Sequence, residues 1–348
     1  MKTDKHPNRL IAVTMGDPSG VGPELLAQVA ARRLSADCEH DVIVAVGDRS
    51  AIERAARIVA PVLSLETVDS NDLEKFRAKA PKYLPVIDLR NVPEAGFSFG
   101  SLRAKYGRAA YESLVSAIDL ALDGSVDAIV TNPLNKEAIH LGGFTYAGHT
   151  EILAERTGTK DYSMMLVHDS VCVAHVSTHV SLREACDRVN SERVYRVIEL
   201  LHDALSRLGI KRRSVAVAGL NPHAGEHGLF GREEIEEITP AIERAKRNGM
   251  LVLGPFPPDT LFPQLVDGTF DGAVVMYHDQ GHIPVKVIGF RHQGGAGFSK
   301  VEGVNVTLGL PIIRTSVDHG TAFDIAGTGK ASSSSLEMAI DYAGRLIV

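Results

Sequence analysis

The sequence is poor in cysteine. Three occur in 348 residues, Cys38, Cys172 and Cys186, and none forms a CxxC pair. So few thiols, odd in number, argue against a disulfide framework and a zinc-thiolate centre, and a reducing cytoplasmic setting is expected. No run of about 18 apolar residues is available to cross a membrane. The apolar stretch near the N-terminus is too short and too quickly broken to act as a secretory signal. Positive charge is not in excess: 37 Lys and Arg stand against 43 Asp and Glu, a net charge of −6. Nucleic acids and anionic membranes therefore meet no general attraction, and any anion has to be bound locally. Internal repeats are absent, and the only low-complexity tract is the serine run at 332–335.

What is present is an ordinary globular composition, 44% hydrophobic and 23% charged, with 32 Gly and 16 Pro spread along the chain. The length suits two α/β lobes. Short β-rich apolar runs, each followed by a Gly/Asn/Pro/Asp turn and a helical pattern, predict βα units on a mainly parallel sheet. Strands are expected at 10–15, 41–46, 128–131, 171–177, 215–220, 273–277 and 312–316. One helix is expected from about Pro23. Another spans 107–122, where Tyr111, Leu114, Val115, Ile118 and Leu122 fall on one face. Residues 61–106 carry several prolines and weak periodicity, and no element is assigned there.

Three histidines stand just after apolar β-runs: His179 in VSTHVSL, His223 in AGLNPHAGE and His278 in VVMYHDQG, 44 and 55 residues apart. The carboxyl ends of strands in a parallel sheet line the ligand crevice, so distant side chains can converge there. Three neutral imidazoles with one open position suit a catalytic divalent cation; separate local hydrogen bonding at each strand end is the plain alternative. A second set suits an anion. Gly148-His149-Thr150 precedes a helix start, whose free N–H groups and partial positive charge favour negative ligands. Lys286, Asn305 and Arg314 add an ammonium, an amide and a guanidinium.

Two glycine-rich segments complete the inventory. GDPSGVGPE at 16–24 follows a strand and opens a helix, but matches neither the GxGxxG nor the GxxxxGK[ST] pattern. DHGTAFDIAG at 318–327 has small residues and an Asp/His pair that could close over an adenosine.

Several of these texts occur together and in order: MGDPSGVGPE, TNPLNKEAI at 131–139, GHTE at 148–151, STH at 177–179, NPHAGE at 221–226, YHDQG at 277–281 and VNVTLGLPIIRTSVDHGTAFDIAG at 304–327. They resemble the 4-hydroxythreonine-4-phosphate dehydrogenase family of vitamin B6 biosynthesis along nearly the whole chain. The resemblance implies a two-domain α/β/α fold like isocitrate and isopropylmalate dehydrogenases, with the active site in the interdomain cleft. It also implies a homodimer sharing its sites between subunits, and NAD as oxidant. The domains expected are 1–135 with 305–348, and 136–304, the second holding most metal and substrate residues.

By the same resemblance His179, His223 and His278 ligate one divalent cation, Zn, Co, Ni, Mn or Mg. His149, Thr150, Lys286, Asn305 and Arg314 contact substrate. Asp17, Gly20 and Gly22, with His319, Gly320, Thr321, Ala322 and Asp324, are expected at the cofactor; the last five resemble the adenosine-binding stretch of isopropylmalate dehydrogenases. An acidic residue at 324 suits a ribose 2′-hydroxyl, hence NAD over NADP.

The text His282-Ile283-Pro284-Val285-Lys286, with a longer passage at 291–301 before Gly303-Val304-Asn305, resembles the branch of the family that oxidises D-threonate or D-erythronate 4-phosphate. In that reading His282 contacts a substrate hydroxyl and Lys286 assists proton transfer. The expected reaction is oxidation at C3 of a four-carbon 3-hydroxy acid 4-phosphate, followed by loss of CO2. Oxidation of 4-hydroxy-L-threonine 4-phosphate is the alternative. A metal-dependent hydrolase and a phospho-sugar sensor are the rivals of other classes, and no DNA-binding module accompanies the latter.

Overall fold

The computed structural model describes residues 8–35, 41–146, 148–292, 298–301 and 303–347. They form two compact units, Met1–Thr159 with Leu310–Ile347, and Lys160–Gly309. The breaks differ from the expected 135/136 and 304/305. Residues 136–159 stay with the first unit because Ile139, Ile152 and Leu153 belong to its core. Residues 305–308 go with the second because they pair in register with residues 163–166.

The first unit holds strands β1 (Leu10–Thr14), β2 (Val42–Gly47), β3 (Leu65–Thr67), β4 (Leu84–Asp88), β5 (Ala128–Thr131) and, from the C-terminal segment, β14 (Ile313–Val317). Their order is β3-β4-β2-β1-β5-β14, and every pairing is parallel. Strands β1, β2 and β5 are buried along their whole length, as the continuous Val/Ile/Ala runs of a two-sided parallel sheet require. Helices α1 (Gly22–Ser35), α2 (Arg49–Val59), α3 (Lys75–Ala78), α4 (Ala104–Leu122), α5 (Lys136–Leu141), α6 (His149–Thr157) and α12 (Ser334–Leu346) cover it. Helix α4 lays Leu114, Ala117 and Ile118 on Leu10, Val44 and Ile129. The unassigned stretch 61–106 contains β3, α3 and β4; β3 has only three residues, and just Leu65 of them is buried.

The second unit holds β6 (Ser163–His168), β7 (Val171–His175), β8 (Val215–Ala218), β9 (Val252–Phe256), β10 (Gly272–Val275), the short pair β11 (Phe290–His292) and β12 (Phe298–Val301), and β13 (Val304–Leu308). The order β13-β6-β7-β10-β8-β9 is antiparallel from β13 to β7 and parallel from β7 to β9. Helices α7 (Leu182–Asp187), α8 (Ser191–Arg207), α9 (Thr239–Arg247), α10 (Pro258–Val266) and α11 (His278–Gly289) flank it. Residues 293–297 of the longer passage lie outside the described residues, as does Cys38. No helix among the described residues is long and apolar enough to cross a membrane.

Candidate active site

In the second unit the three strand-end histidines follow β7, β8 and β10, which are adjacent and parallel in the order β7-β10-β8. The turn after β7 is zipped to that after β10: Val176 N–H donates to the Val275 carbonyl at 2.8 Å, and Ser177 N–H and Oγ donate to that of Met276 at 3.2 and 3.0 Å. This brings His179 and His278 together, with ring centroids 5.9 Å apart. Two imidazoles sharing a tetrahedral ion, with metal–nitrogen bonds of about 2.1 Å, stand about 5 Å apart by centroid, so the pair fits a common cation. His278 opens α11, and its Nδ1 faces Asp279 Oδ1 at 2.7 Å. That acceptor assigns the neutral ring's proton to Nδ1 and leaves the Nε2 lone pair for a ligand.

His223 sits in the turn after β8, its ring 6.3 Å from that of Phe230. Residues His223 to His227 all have positive φ, between 42° and 79°. Such a left-handed run costs its non-glycine members about 1–2 kcal/mol each. Buried Glu234, in a π-helical turn (Glu234–Ile238), holds the turn in place by accepting from the Leu220 and Asn221 N–H groups at 2.8 Å and from Asn221 Nδ2 at 3.0 Å. Gln280 ties α11 to the end of β8, taking the Met276 N–H at 2.7 Å and donating to the Gly219 carbonyl at 2.8 Å. Two of the three expected ligands are thus brought together and the third lies on the neighbouring strand end. Among the described residues no three His, Cys, Asp or Glu side chains are grouped to hold a metal. Asp279, Gln280 and Glu234 were not singled out from sequence, although the first two belong to the YHDQG text.

Helix α11 carries His278, His282 and Lys286 four residues apart, on one face. His282 is 5% exposed beneath the His278 ring. Burial, then the neighbouring His175 and His278 and the Lys286 charge, push its pKa down to about 3. His175, 1% exposed, is likewise held at about 4, chiefly by burial. Both rings are neutral at pH 7. Lys286 is half-buried. Asn305, on β13, donates from Nδ2 to Met164 Sδ at 3.0 Å and has a buried Oδ1 without a hydrogen-bond partner.

The other expected substrate residues lie in the first unit. Arg314, on β14 and 4% exposed, donates to Thr131 Oγ1 at 2.6 Å; burial pulls its pKa down to about 9, so it is still a cation at neutral pH. His149, in the first turn of α6, donates from Nε2 to the Asn132 carbonyl at 3.2 Å. Burial, then the Arg314 and Lys136 charges, keep it well below the ordinary imidazole range. Thr150 follows it, half-buried. Cationic surroundings, a neutral imidazole and free N–H groups at a helix start suit an anion.

The two glycine-rich segments meet in the same unit. Val21 N–H donates to the Thr321 carbonyl at 3.0 Å, and a Cβ on Gly20 would stand 3.0 Å from that oxygen. A Cβ on Gly22 would collide with the Met15 carbonyl, so this glycine serves helix–strand packing. Asp17 is fully buried; its Oδ1 accepts from Ser19 N–H and Oγ, its Oδ2 has no hydrogen-bond partner, and burial raises its pKa to about 6. His319 bonds the Gly320 carbonyl through Nδ1 and keeps a buried, unpartnered Nε2. Gly320 has open space where a Cβ would stand, Ala322 has φ 43°, and Asp324 is exposed. Unpartnered polar atoms beside an open glycine suit a polar ligand.

The family described as pyridoxal phosphate biosynthetic protein PdxA matches residues 39–343. D-threonate 4-phosphate dehydrogenase of Salmonella typhimurium (strain LT2) is 45% identical over 340 residues, 97% of this chain and 99% of that protein. 4-Hydroxythreonine-4-phosphate dehydrogenase of Beijerinckia indica subsp. indica is 44% identical, covering 99% of this chain and 96% of its own. The crystal structure of 4-hydroxythreonine-4-phosphate dehydrogenase from Klebsiella pneumoniae superposes with a TM-score of 0.80 at 43% identity, over 98% of this chain and 100% of that one.

Proposed function

The chain belongs to the PdxA family and is a dehydrogenase, and from that premise we propose that it oxidises D-threonate or D-erythronate 4-phosphate with NAD, in the presence of a divalent cation, and releases CO2. The observation that carries the reading is the His179–His278 pair on the strand ends above the α11 face bearing Lys286. His179 and His278, joined by His223, would hold the cation, which supplies Lewis acidity toward the hydroxyl being oxidised and the keto oxygen that follows.

Lys286 would take the proton of the C3 hydroxyl during its oxidation and return a proton once CO2 has gone; a bound nicotinamide would supply the hydride acceptor. Arg314, His149, Thr150 and Asn305 bind the phosphate and the acid's polar groups. Binding energy gathered there orients C3 without taking part in the bond changes. Asp17, Gly20 and the segment from His319 to Asp324 hold the nucleotide. The working enzyme is a cytoplasmic homodimer.

NADH formation with each of three acids, D-threonate, D-erythronate and 4-hydroxy-L-threonine 4-phosphates, measured with and without a chelator, tests the assignment. We expect the sugar acids to be oxidised fastest, and only with metal present. No NADH from any of them, or full activity after chelation, refutes it. Preference for the amino acid supports the second reading, which the 44% identity to the Beijerinckia protein favours.

A further inference from the structure

His282 is enclosed from two sides. Its ring lies flat against that of His278, with centroids 3.7 Å apart and planes within 7°. Its Nδ1 donates to the His278 carbonyl oxygen at 3.1 Å, closing the helical turn between the two residues. His175 meets it at 4.8 Å, tilted by 48°. His175 is itself anchored by an Nδ1–H donated to the Met164 carbonyl at 3.0 Å. Gly281 makes room for this arrangement, since a Cβ there would stand 2.5 Å from His175 Nε2. The column of rings therefore rests on the sheet and ends at His278, whose side chain keeps 36% exposure and is the only ring of the three with substantial access to solvent.

We propose that His282 is a positioning residue rather than a substrate contact: its flat face fixes the plane and rotamer of His278, so that the Nε2 lone pair is already aimed when a divalent cation arrives. The inference rests on His179 and His278 being cation ligands. An imidazole ligand free to rotate must be ordered on binding, and losing an outer support of this kind typically costs 10–100-fold in metal affinity. A flat apolar ring can supply the same platform, whereas an aliphatic side chain of similar bulk cannot.

Titration of the metal-free protein with Co2+ alone, followed by visible absorption and calorimetry without substrate or nucleotide, tests this on H282F, H282A, H282L and H179A. We expect H179A to lose Co2+ binding. H282A and H282L should bind about 10–100-fold more weakly than wild type, and H282F within about threefold. If H282A does not fold, as judged by thermal unfolding, H282L answers the same question. Wild-type affinity in H282A or H282L while H179A has lost the ion overturns the inference and leaves the cation reading standing. So does H282F binding as weakly as H282L. H282F that binds Co2+ normally but raises KM for the phosphorylated acid more than tenfold makes His282 a substrate contact after all, and also overturns it. Undiminished Co2+ binding by H179A removes the cation reading itself.

Discussion

Arg314 and His149 share one electrostatic problem, two basic groups crowded with little water, which the proposed phosphate would relieve for both. R314A should therefore raise KM for the phosphorylated acid at least tenfold, about 1.5–3 kcal/mol for a charge-assisted contact, with a smaller effect on kcat. In the same variant the His149 pKa, followed by NMR of the ring, should rise only part of the way toward its ordinary value. Burial is the larger cause of its depression and the Arg314 charge the second. An unchanged KM removes Arg314 from the phosphate site. Asp17 gives a prediction about stability. Burial raises its folded pKa to about 6, above that of an aspartate in an unfolded chain, so the folded protein binds this proton more tightly than the unfolded chain. That contribution is complete below about pH 4 and is lost as pH rises through 6, a change of up to about 3 kcal/mol. D17N keeps an acceptor for Ser19 and carries no charge, so its stability relative to wild type should rise by that amount between pH 4 and pH 7 in denaturant titrations. Histidines at strand ends were readable as candidates because each follows an apolar run. Glu234, Gln280 and His175 were not, because contacts such as Glu234 with Leu220, Gln280 with Gly219 and His175 with Met164 join separate segments that only the fold brings together.

At the scale of elements, Gly107 shows where packing overrules propensity. An alanine in a helix interior is favoured over glycine by about 1 kcal/mol, yet a Cβ at Gly107 in α4 would fall on the Ala138 carbonyl of α5. G107A should accordingly lower stability by about 2 kcal/mol or more, measured by thermal or urea unfolding; a stabilised variant would mean that α5 can move away. Continuous apolar runs located β1, β2, β5, β7, β8, β10 and β14 to within one or two residues, and the one-faced pattern located α4. The stretch 61–106 stayed unread because β3 is three residues long with two exposed, and β4 contains a proline. Strand β13 leaves no local signal, because its antiparallel pairing with β6 is set by a partner about 140 residues away along the chain. The role of His282 was hidden for a related reason. Only once 278–289 is helical, despite Pro284 within it, do residues 278 and 282 stack.

For the whole molecule, α11 displays Ile283 and Val287, 60% and 76% exposed and four residues apart. Under the proposed homodimer, a second copy on this face would cover apolar surface that a monomer would leave in water. Light scattering after size exclusion should give twice the chain mass of 37.4 kDa, and V287E should shift the population toward the single chain; a monomeric wild type refutes the dimer. The chain also returns to the first unit after finishing the second: residues 310–347 bring β14 against β5, and α12 with its buried Leu336, Ala339 and Ile340. During translation, five strands of the first unit leave the ribosome some 180 residues ahead of the sixth, while the inserted unit has all its pieces in hand. The nascent protein must hold an unfinished, strongly apolar layer in a state that neither aggregates nor pairs wrongly until its tail is made.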